Sequence, residues 1–279
     1  MLPRRSWHEM TTLDFEDPAA QDWIAVQPVA AVEQHGPHLP LGTDAYIANG
    51  LVKRVAEMLP GDLPATFLPL ISIGKSDEHI AFRGTLTLSA GTLAEALHEI
   101  GGCVARSGVR KLVFVSSHGG NNPVVEIVTR KLRIQHGMLA VATSWSRFGY
   151  PDGLFGTDEL ALGIHGGEIE TSLMLHLQPE LVRMRLAKDF PSAQAEFAGA
   201  FKHLRAYGPH QFGWQTEDLN ADGAVGNAGA ARSNKGRAVV DHQAARFVEL
   251  LADVAAFDVA RLRSAPTRPP AGDPSPKAG

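Results

Sequence analysis

Three short segments of the chain place histidines and carboxylates beside glycines. The first is EQHGPH at residues 33–38, followed by Asp44; the second is SSHGGN at 116–121; the third is HGGEIE at 165–170. Divalent transition metals are held by carboxylate oxygens and neutral imidazole nitrogens that converge from different parts of a chain. Glycines let the backbone approach such a site closely. The residue types and their grouping therefore predict a metal site.

The charges of the candidate ligands are compatible with two cations. The predicted carboxylate ligands are Glu33, Asp44 and Glu168, which together carry a charge of −3. Two divalent cations that share one bridging hydroxide balance that charge, which matters where water is partly excluded. Such a pair could make the bridging water acidic near neutral pH and polarise a carbonyl oxygen. His35 and His118 complete the predicted ligand set.

Helical spacing distinguishes the candidate ligands of the third segment. His165 and Glu168 are three residues apart and share a face if helical turns begin there, whereas Glu168 and Glu170 are two apart and diverge. We therefore expect one of the two glutamates at the metals and select Glu168, with Glu170 accepting hydrogen bonds from nearby backbone donors. His165 is then free to act as a general acid and base beside the metals.

Apolar runs alternate with helical patterns along the chain. This order predicts βαβ units and an α/β fold with a mainly parallel central sheet. Glu33 and His118 each follow a predicted strand, and open α/β sheets bind ligands at the carboxyl ends of their strands. The predicted strands are 24–32, 67–73, 111–117 and 138–143, and the predicted helices are 45–58, 92–106, 123–135 and 168–177.

The length of 279 residues is compatible with one large α/β domain, which we place at residues 1–263. Residues 264–279 are rich in proline and glycine and carry no large apolar side chain, so they are expected to form a disordered tail. The segment 200–236 has no pattern that assigns it to helix or strand.

The composition excludes several classes of protein. The net charge is −4 and no Lys/Arg block is present, so nucleic acid is not an expected partner. Cys103 is the single cysteine, which fits a reducing cytoplasm. The N-terminus lacks the apolar stretch of a signal peptide, and no apolar run reaches the roughly 20 residues that cross a membrane. We therefore expect a cytoplasmic protein without a membrane partner.

Taken in order, EQHGPHLPLGTD, SSHGGN and HGGEIETSLML resemble the creatininase (creatinine amidohydrolase) family. The resemblance implies a three-layer α/β/α fold, two divalent metal ions per chain (zinc, manganese or iron) and hydrolysis of a C–N bond in a small non-peptide amide. It also implies a homo-oligomer, possibly a hexamer. Carried over by motif, the ligands are Glu33, His35, Asp44 and His118, with Asp44 bridging the metals.

The chain departs from creatinine-hydrolysing members at two positions. Those members carry glutamates where this chain has Gly120 and Ile164, and Glu168 would have to replace the missing metal ligand. Creatinine is therefore expected to be a poor substrate. His79 lies in a segment that resembles the substrate-side loop of the family, and it has either a substrate contact or a packing role. Trp145 is either a substrate cover or a core residue.

Three functions fit these observations. The first is a metal-dependent amidohydrolase acting on a cyclic amide, a formamide or a related small amide. The second is a peptidase that trims a specific short peptide, as some relatives in this family do during maturation of a redox cofactor. The third is a metal-binding scaffold without catalysis, although a proton shuttle such as His165 would have no use there.

Overall fold

The computed structural model describes residues 2–263, so the predicted disordered tail at 264–279 lies outside the described residues. The main sheet has four parallel strands in the order β2-β1-β3-β4. Those strands are β1 (Ile24–Val29), β2 (Ala65–Phe67), β3 (Lys111–Ser116) and β4 (Leu139–Ser144). A smaller antiparallel pair joins β5 (Asp189–Phe190) to β6 (Gly226–Asn227).

Helices cover both faces of the main sheet. Alternate side chains of β3 point to opposite faces, so that Val113 packs in one apolar core while Phe114 packs in the other. The first core lies under α1, α5 and α8, and the second lies under α2 and α3. The helices are α1 (Thr43–Met58), α2 (Ala90–Arg106), α3 (Asn122–His136), α4 (Thr157–Leu162), α5 (Glu168–Leu177), α6 (Gln194–Ala200), α7 (Thr216–Leu219) and α8 (Ser233–Ala256). The predicted three-layer α/β/α fold is confirmed.

The strand prediction was wrong in the segment 67–73. Only residues 65–67 pair as β2, because Pro69 lacks the N–H that a continuing ladder would need. The chain still follows the edge of β1, since Leu68 donates its N–H to Val26 and Ile71 donates to Pro28. Similarly, β1 ends at Val29 rather than at residue 32.

Helix ends agree well with their local signals. Ser89 accepts a hydrogen bond from the backbone N–H of Thr92 at 3.1 Å and caps α2, which begins at Ala90, two residues before the predicted start. α3 ends at Gly137, whose φ of 64° is left-handed. Within residues 2–263, no helix is both long and apolar enough to cross a membrane.

Candidate metal centre

The carboxyl ends of two neighbouring strands bring four of the five predicted ligands together. Glu33 and His35 lie in the loop after β1, and His118 lies just after β3. Asp44 occupies the first turn of α1. The turn between His35 and α1 requires Gly36, which has a φ of 69°. These four residues are buried, none of them more than 6% exposed.

The Oε1 atom of Glu33 lies at the centre of four imidazole rings. The distances to it are 3.1 Å from Nδ1 of His118, 3.4 Å from Nε2 of His79, 3.6 Å from Nδ1 of His165 and 3.9 Å from Nε2 of His35. The other oxygen of Glu33 accepts a hydrogen bond from the hydroxyl of Ser76. One buried carboxylate can be paired by fewer groups, so four imidazole rings around a single oxygen indicate a binding site.

Asp44 presents its two oxygens to two different histidines. Its Oδ1 lies 3.5 Å from Nε2 of His35, and its Oδ2 lies 3.6 Å from Nδ1 of His118. A carboxylate that faces one imidazole nitrogen with each oxygen could help to hold a cation on either side. The ring of His35 is held in place because its Nδ1–H donates to the backbone oxygen of Glu33 at 3.1 Å.

Several buried atoms of this cluster have no hydrogen-bond partner among the described residues. They are Oε1 of Glu33, Nε2 of His35 and Oδ2 of Asp44. Buried polar atoms are almost always satisfied, so orphaned atoms that converge on one point require a ligand. Potential ligand atoms lie within 4.8 Å of one another in three overlapping groups: Glu33, His35 and Asp44; Glu33, His79 and His165; His35, His165 and Glu170. The donor set fits divalent metal ions.

Electrostatics in the cluster show how strongly it needs positive charge. Burial alone would raise the pKa of Glu33, but the imidazoles around it, His118 foremost, hold that pKa well below its usual range. Burial would likewise lower the pKa of His35, yet Asp44 and Glu170 raise it to about 10. The pKa of Asp44 is raised by burial and by the charge of Glu33. Protonated histidines thus supply, without metals, the charge that bound cations would supply.

The structure does not bring Glu168 to this cluster. Its carboxylate forms an ion pair with Lys235 of α8. Glu170 reaches the cluster instead, with Oε2 at 3.7 Å from Nε2 of His35. The helical spacing argument failed because α5 begins at Glu168, so that His165 lies in the non-helical turn before it. In that turn Gly166 has a φ of 64° and donates its N–H to Glu170 at 2.6 Å.

His165 lies at the cluster as the sequence predicted. Its Nε2–H donates to the backbone oxygen of Gln34 at 2.7 Å, and Nδ1 faces Glu33. An isolated antiparallel bridge to Val225 fixes its backbone. Burial and the neighbouring His35 lower the pKa of His165 well below its usual value. Because Nε2 carries the hydrogen that is donated to Gln34, the neutral ring keeps the lone pair of Nδ1 towards the cluster.

The two candidate substrate residues lie in different places. His79 is buried beside Glu33 and lines the cleft described below, and burial lowers its pKa to about 4. Trp145 is 3% exposed and packs in the core, with its ring centroid 4.8 Å from that of Phe247. It borders a small cavity of about 70 Å³ that His118 and Glu170 also line. The sequence left two roles open for Trp145, substrate cover and core residue, and the structure places it in the core.

A cleft of about 440 Å³ opens onto His79, His118 and His165. Its outer wall includes Phe212 and Trp214, which come from the segment 200–236 that the sequence could not assign. No periodicity marked these aromatic residues as cleft residues, since they lie in a loop. Lys75 and Glu78 also line the cleft, as an ion pair of 2.6 Å.

Gly120 also lines this cleft and has no room for a side chain. A Cβ atom at Gly120 would collide with the carboxylate of Glu78, the ring of His118 and the backbone oxygen of Lys75. Oε1 of Glu78 lies 3.3 Å from Nε2 of His118, on the side of the ring that faces away from Glu33. The carboxylate of Glu78 thus occupies the space that a side chain at position 120 would need. The sequence reasoning missed Glu78.

Residues 8–251 match the family profile described as creatinine amidohydrolase. The chain belongs to the creatininase family. It is 33% identical over 206 residues to creatinine amidohydrolase of Pseudomonas putida, covering 66% of this chain and 76% of that protein. It is 38% identical over 160 residues to the mycofactocin precursor peptide peptidase of Mycobacterium ulcerans (strain Agy99), covering 56% of this chain. The matched region spans 58% of the length of that peptidase.

Solved structures of the family share the fold. A manganese form of creatininase superposes with a TM-score of 0.71 and 28% identity, covering 91% of this chain and 99% of that one. A zinc form of a creatininase variant gives the same TM-score and identity, covering 91% and 100% of the two chains. The similarity confirms the family resemblance that the three motifs carried.

Proposed function

We propose that this protein is a metal-dependent amidohydrolase that cleaves a C–N bond in a cyclic amide, a formamide or a related small amide. The convergence of orphaned buried atoms from Glu33, His35 and Asp44 carries this proposal. The zinc and manganese forms of its structural relatives support the choice of divalent cations. Bound metals would supply an acidic water and a Lewis acid for the amide carbonyl.

The proposed metal ligands are Glu33, His35, Asp44, His118 and Glu170. Glu170 replaces Glu168, because only Glu170 faces His35. The exchange preserves the three carboxylates whose charge two divalent cations and one hydroxide would balance. His118 resembles His35 in its support, since its Nε2–H donates to the backbone oxygen of Lys75 at 2.9 Å and leaves Nδ1 for the cluster. Such anchoring of the far nitrogen is typical of metal-binding histidines.

His165 is the proposed general acid and base. Its Nδ1 faces the cluster as a neutral nitrogen, so it can take a proton from the attacking water. The same proton can then pass to the leaving nitrogen, which is a very poor leaving group while unprotonated. The hydrogen bond from Nε2–H to Gln34 keeps the ring in place during both transfers.

Trimming of a short peptide is the second candidate. The 38% identity to the mycobacterial peptidase favours it, as does a cleft of about 440 Å³ that is open at one side. Phe212 and Trp214 would offer an apolar wall to a peptide side chain. Because this peptidase match covers little more than half of either chain, the small-amide proposal stays first.

Substrate screening tests the proposal directly. The zinc- or manganese-loaded protein would be assayed against lactams, formamides, short peptides and creatinine. We expect turnover of a small amide and little or none of creatinine. Gly120 and Ile164 lack the carboxylates of creatinine-hydrolysing relatives, and loss of such polar contacts can discriminate by ~10⁴-fold. Robust creatinine turnover would contradict the expectation, and turnover restricted to peptides would favour the second candidate.

The role of His165 can be tested by His165→Gln. Turnover should fall by ~10²–10⁴-fold while the metal content stays that of the wild type, because a general acid and base is lost but no ligand. His176→Gln on α5 is the matched control, since that ring lies away from the cluster and should leave turnover unchanged. Loss of a metal in His165→Gln would make His165 a ligand, and full activity would remove it from the mechanism.

A further inference from the structure

The four histidines around Glu33 differ in what their outward nitrogen contacts. In His35, His118 and His165 that nitrogen contacts a backbone carbonyl oxygen. A carbonyl only accepts, so the outward nitrogen of each ring carries a hydrogen, and whenever the ring is neutral the inward nitrogen keeps its lone pair. His79 is different, because its outward nitrogen, Nδ1, lies 2.8 Å from the side-chain nitrogen of Gln34.

Two backbone groups fix the orientation of the Gln34 amide. Its Oε1 accepts the N–H of Gly36 at 2.9 Å, and its Nε2 donates to the oxygen of Gly223 at 2.7 Å. A flipped amide would face an N–H with its nitrogen and a carbonyl with its oxygen, and both hydrogen bonds would be lost. Gln34 is 5% exposed, so water does not replace either partner easily. An N–H group of Gln34 therefore faces His79.

The second N–H of Gln34 has one available acceptor. Nε2 of His165 is 3.3 Å away, but that nitrogen already carries the hydrogen that it donates to the backbone oxygen of Gln34. Nδ1 of His79 is closer and must accept. An Nδ1–H on His79 would set two N–H groups against each other at 2.8 Å in a buried site.

Thr216 also contacts His79. Its hydroxyl lies 2.8 Å from Nδ1 and can donate to the backbone oxygen of Glu78 at 3.0 Å. In that orientation Thr216 could accept a hydrogen from Nδ1, which would favour the opposite tautomer. A hydroxyl can rotate to suit either tautomer, whereas the anchored amide of Gln34 cannot. The amide of Gln34 therefore determines which ring nitrogen of His79 carries the hydrogen.

We propose that Gln34 sets the tautomers of two neighbouring histidines so that they present opposite groups to Glu33. Its backbone oxygen holds the hydrogen on Nε2 of His165, which turns the lone pair of Nδ1 inward. Its side-chain amide also holds the hydrogen of His79 on Nε2, but in His79 that nitrogen is the inward one, 3.4 Å from Oε1 of Glu33.

His79 is accordingly a hydrogen-bond donor and not a metal ligand, although its distance alone groups it with the potential ligands. Its N–H faces the cluster beside Glu33, where it is placed to meet an oxygen atom of a molecule in the cleft. Gln34 is the positioning residue that acts through it. A role of this N–H group in turnover rests on the proposed function, whereas the assignment of the His79 tautomer is independent of it.

The position of the hydrogen can be read by NMR. Long-range ¹H–¹⁵N correlation spectra of ¹⁵N-histidine-labelled, zinc-loaded protein distinguish protonated from unprotonated ring nitrogens, and comparison with His79→Gln assigns the signals. We expect His79 to be protonated at Nε2 in the wild type and in Thr216→Val. In Gln34→Glu the hydrogen should move to Nδ1. An ionised carboxyl group has no hydrogen to donate to His79, and a protonated one has a single hydrogen, which the backbone oxygen of Gly223 can accept.

Gln194→Glu is the matched control. The Gln194 amide also bridges a backbone N–H, that of Ala206 at 2.8 Å, and a backbone oxygen, that of Tyr207 at 3.1 Å, but away from the cluster. The Gln194→Glu variant should leave the hydrogen of His79 on Nε2. The same spectra of the metal-free protein keep the comparison decisive if Gln34→Glu binds less zinc.

Two results would overturn the inference whatever the enzyme hydrolyses. One is a hydrogen on Nδ1 of His79 in the wild type, and the other is a wild-type pattern in Gln34→Glu. His79→Gln should in addition bind as much zinc as the wild type at saturating zinc, because a protonated nitrogen does not coordinate. Zinc lost from that variant would make His79 a ligand.

Discussion

Two groups of buried carboxylates flank the start of α5, and their negative charge is satisfied in different ways. In the metal cluster, Oε1 of Glu33 and Oδ2 of Asp44 have no hydrogen-bond partner among the described residues. In the second group, which we call the Glu159 clamp, each oxygen of Glu159 accepts a backbone N–H. Oε1 accepts from Ile169 at 3.3 Å, and Oε2 accepts from Asn227 at 2.9 Å.

Glu168 lies outside the cluster and lines a cavity together with Glu159. Its charge is met by Lys235, while Glu170, two residues further along α5, faces His35. The difference teaches how to read a buried carboxylate. A buried carboxylate whose oxygens are all satisfied by donors holds structure together, and one that keeps an oxygen without a hydrogen-bond partner, as Glu33 and Asp44 do, has the features of a cation ligand.

The largest effect is expected from Asp44→Ala. Asp44 faces His35 with one oxygen and His118 with the other, so its loss should release both metals and reduce turnover by far more than the ~10–100-fold that an outer-shell change costs. Asp158→Ala is the matched control, because Asp158 also lies in the first turn of a helix but is exposed. Elemental analysis that finds wild-type metal content in Asp44→Ala would refute the assignment.

The next effect separates the two glutamates of α5. Glu170→Gln should weaken metal binding by at least ~10-fold, since it removes a carboxylate beside His35. Glu168→Gln should leave metal binding unchanged, because Glu168 contacts Lys235. Zinc titration of both variants measures the difference. If Glu168→Gln lost zinc and Glu170→Gln retained it, the side chains would have to exchange places when metal binds.

Sequence patterns predicted a mainly parallel sheet because β1, β3, β4 and the helices between them carry local signals, whereas the three layers were implied by the family resemblance. The patterns also placed Glu33 and His118 at the same edge of the sheet, because each residue follows a predicted strand and the carboxyl ends of parallel strands lie at one edge. They could not choose between Glu168 and Glu170, because that choice depends on where α5 begins and on Lys235, which lies 67 residues further along the chain. Glu78, Phe212 and Trp214 were not predicted as cleft residues, since no periodicity marks the loops around them.

The smallest effect concerns the Glu159 clamp and should change stability without changing metal content. Glu159→Gln would replace one accepting oxygen with an NH₂ group that faces the N–H of Ile169 or Asn227. One buried backbone N–H would then be left without an acceptor, which costs about 1–3 kcal/mol of unfolding free energy. Glu249→Gln on the surface of α8 should change it by less than ~0.5 kcal/mol.

Burial raises the pKa of Glu159, so ionisation of this group in the wild type becomes costly as the pH rises through that pKa. Removing the titrating group removes that cost, so the deficit of Glu159→Gln should shrink with rising pH between the ordinary pKa of a glutamate and the raised one. Urea unfolding of both variants across this range, with zinc content measured alongside, provides the check. A Glu159→Gln chain as stable as the wild type but depleted of zinc would place Glu159 with the metals, and the contrast between the two groups would be lost.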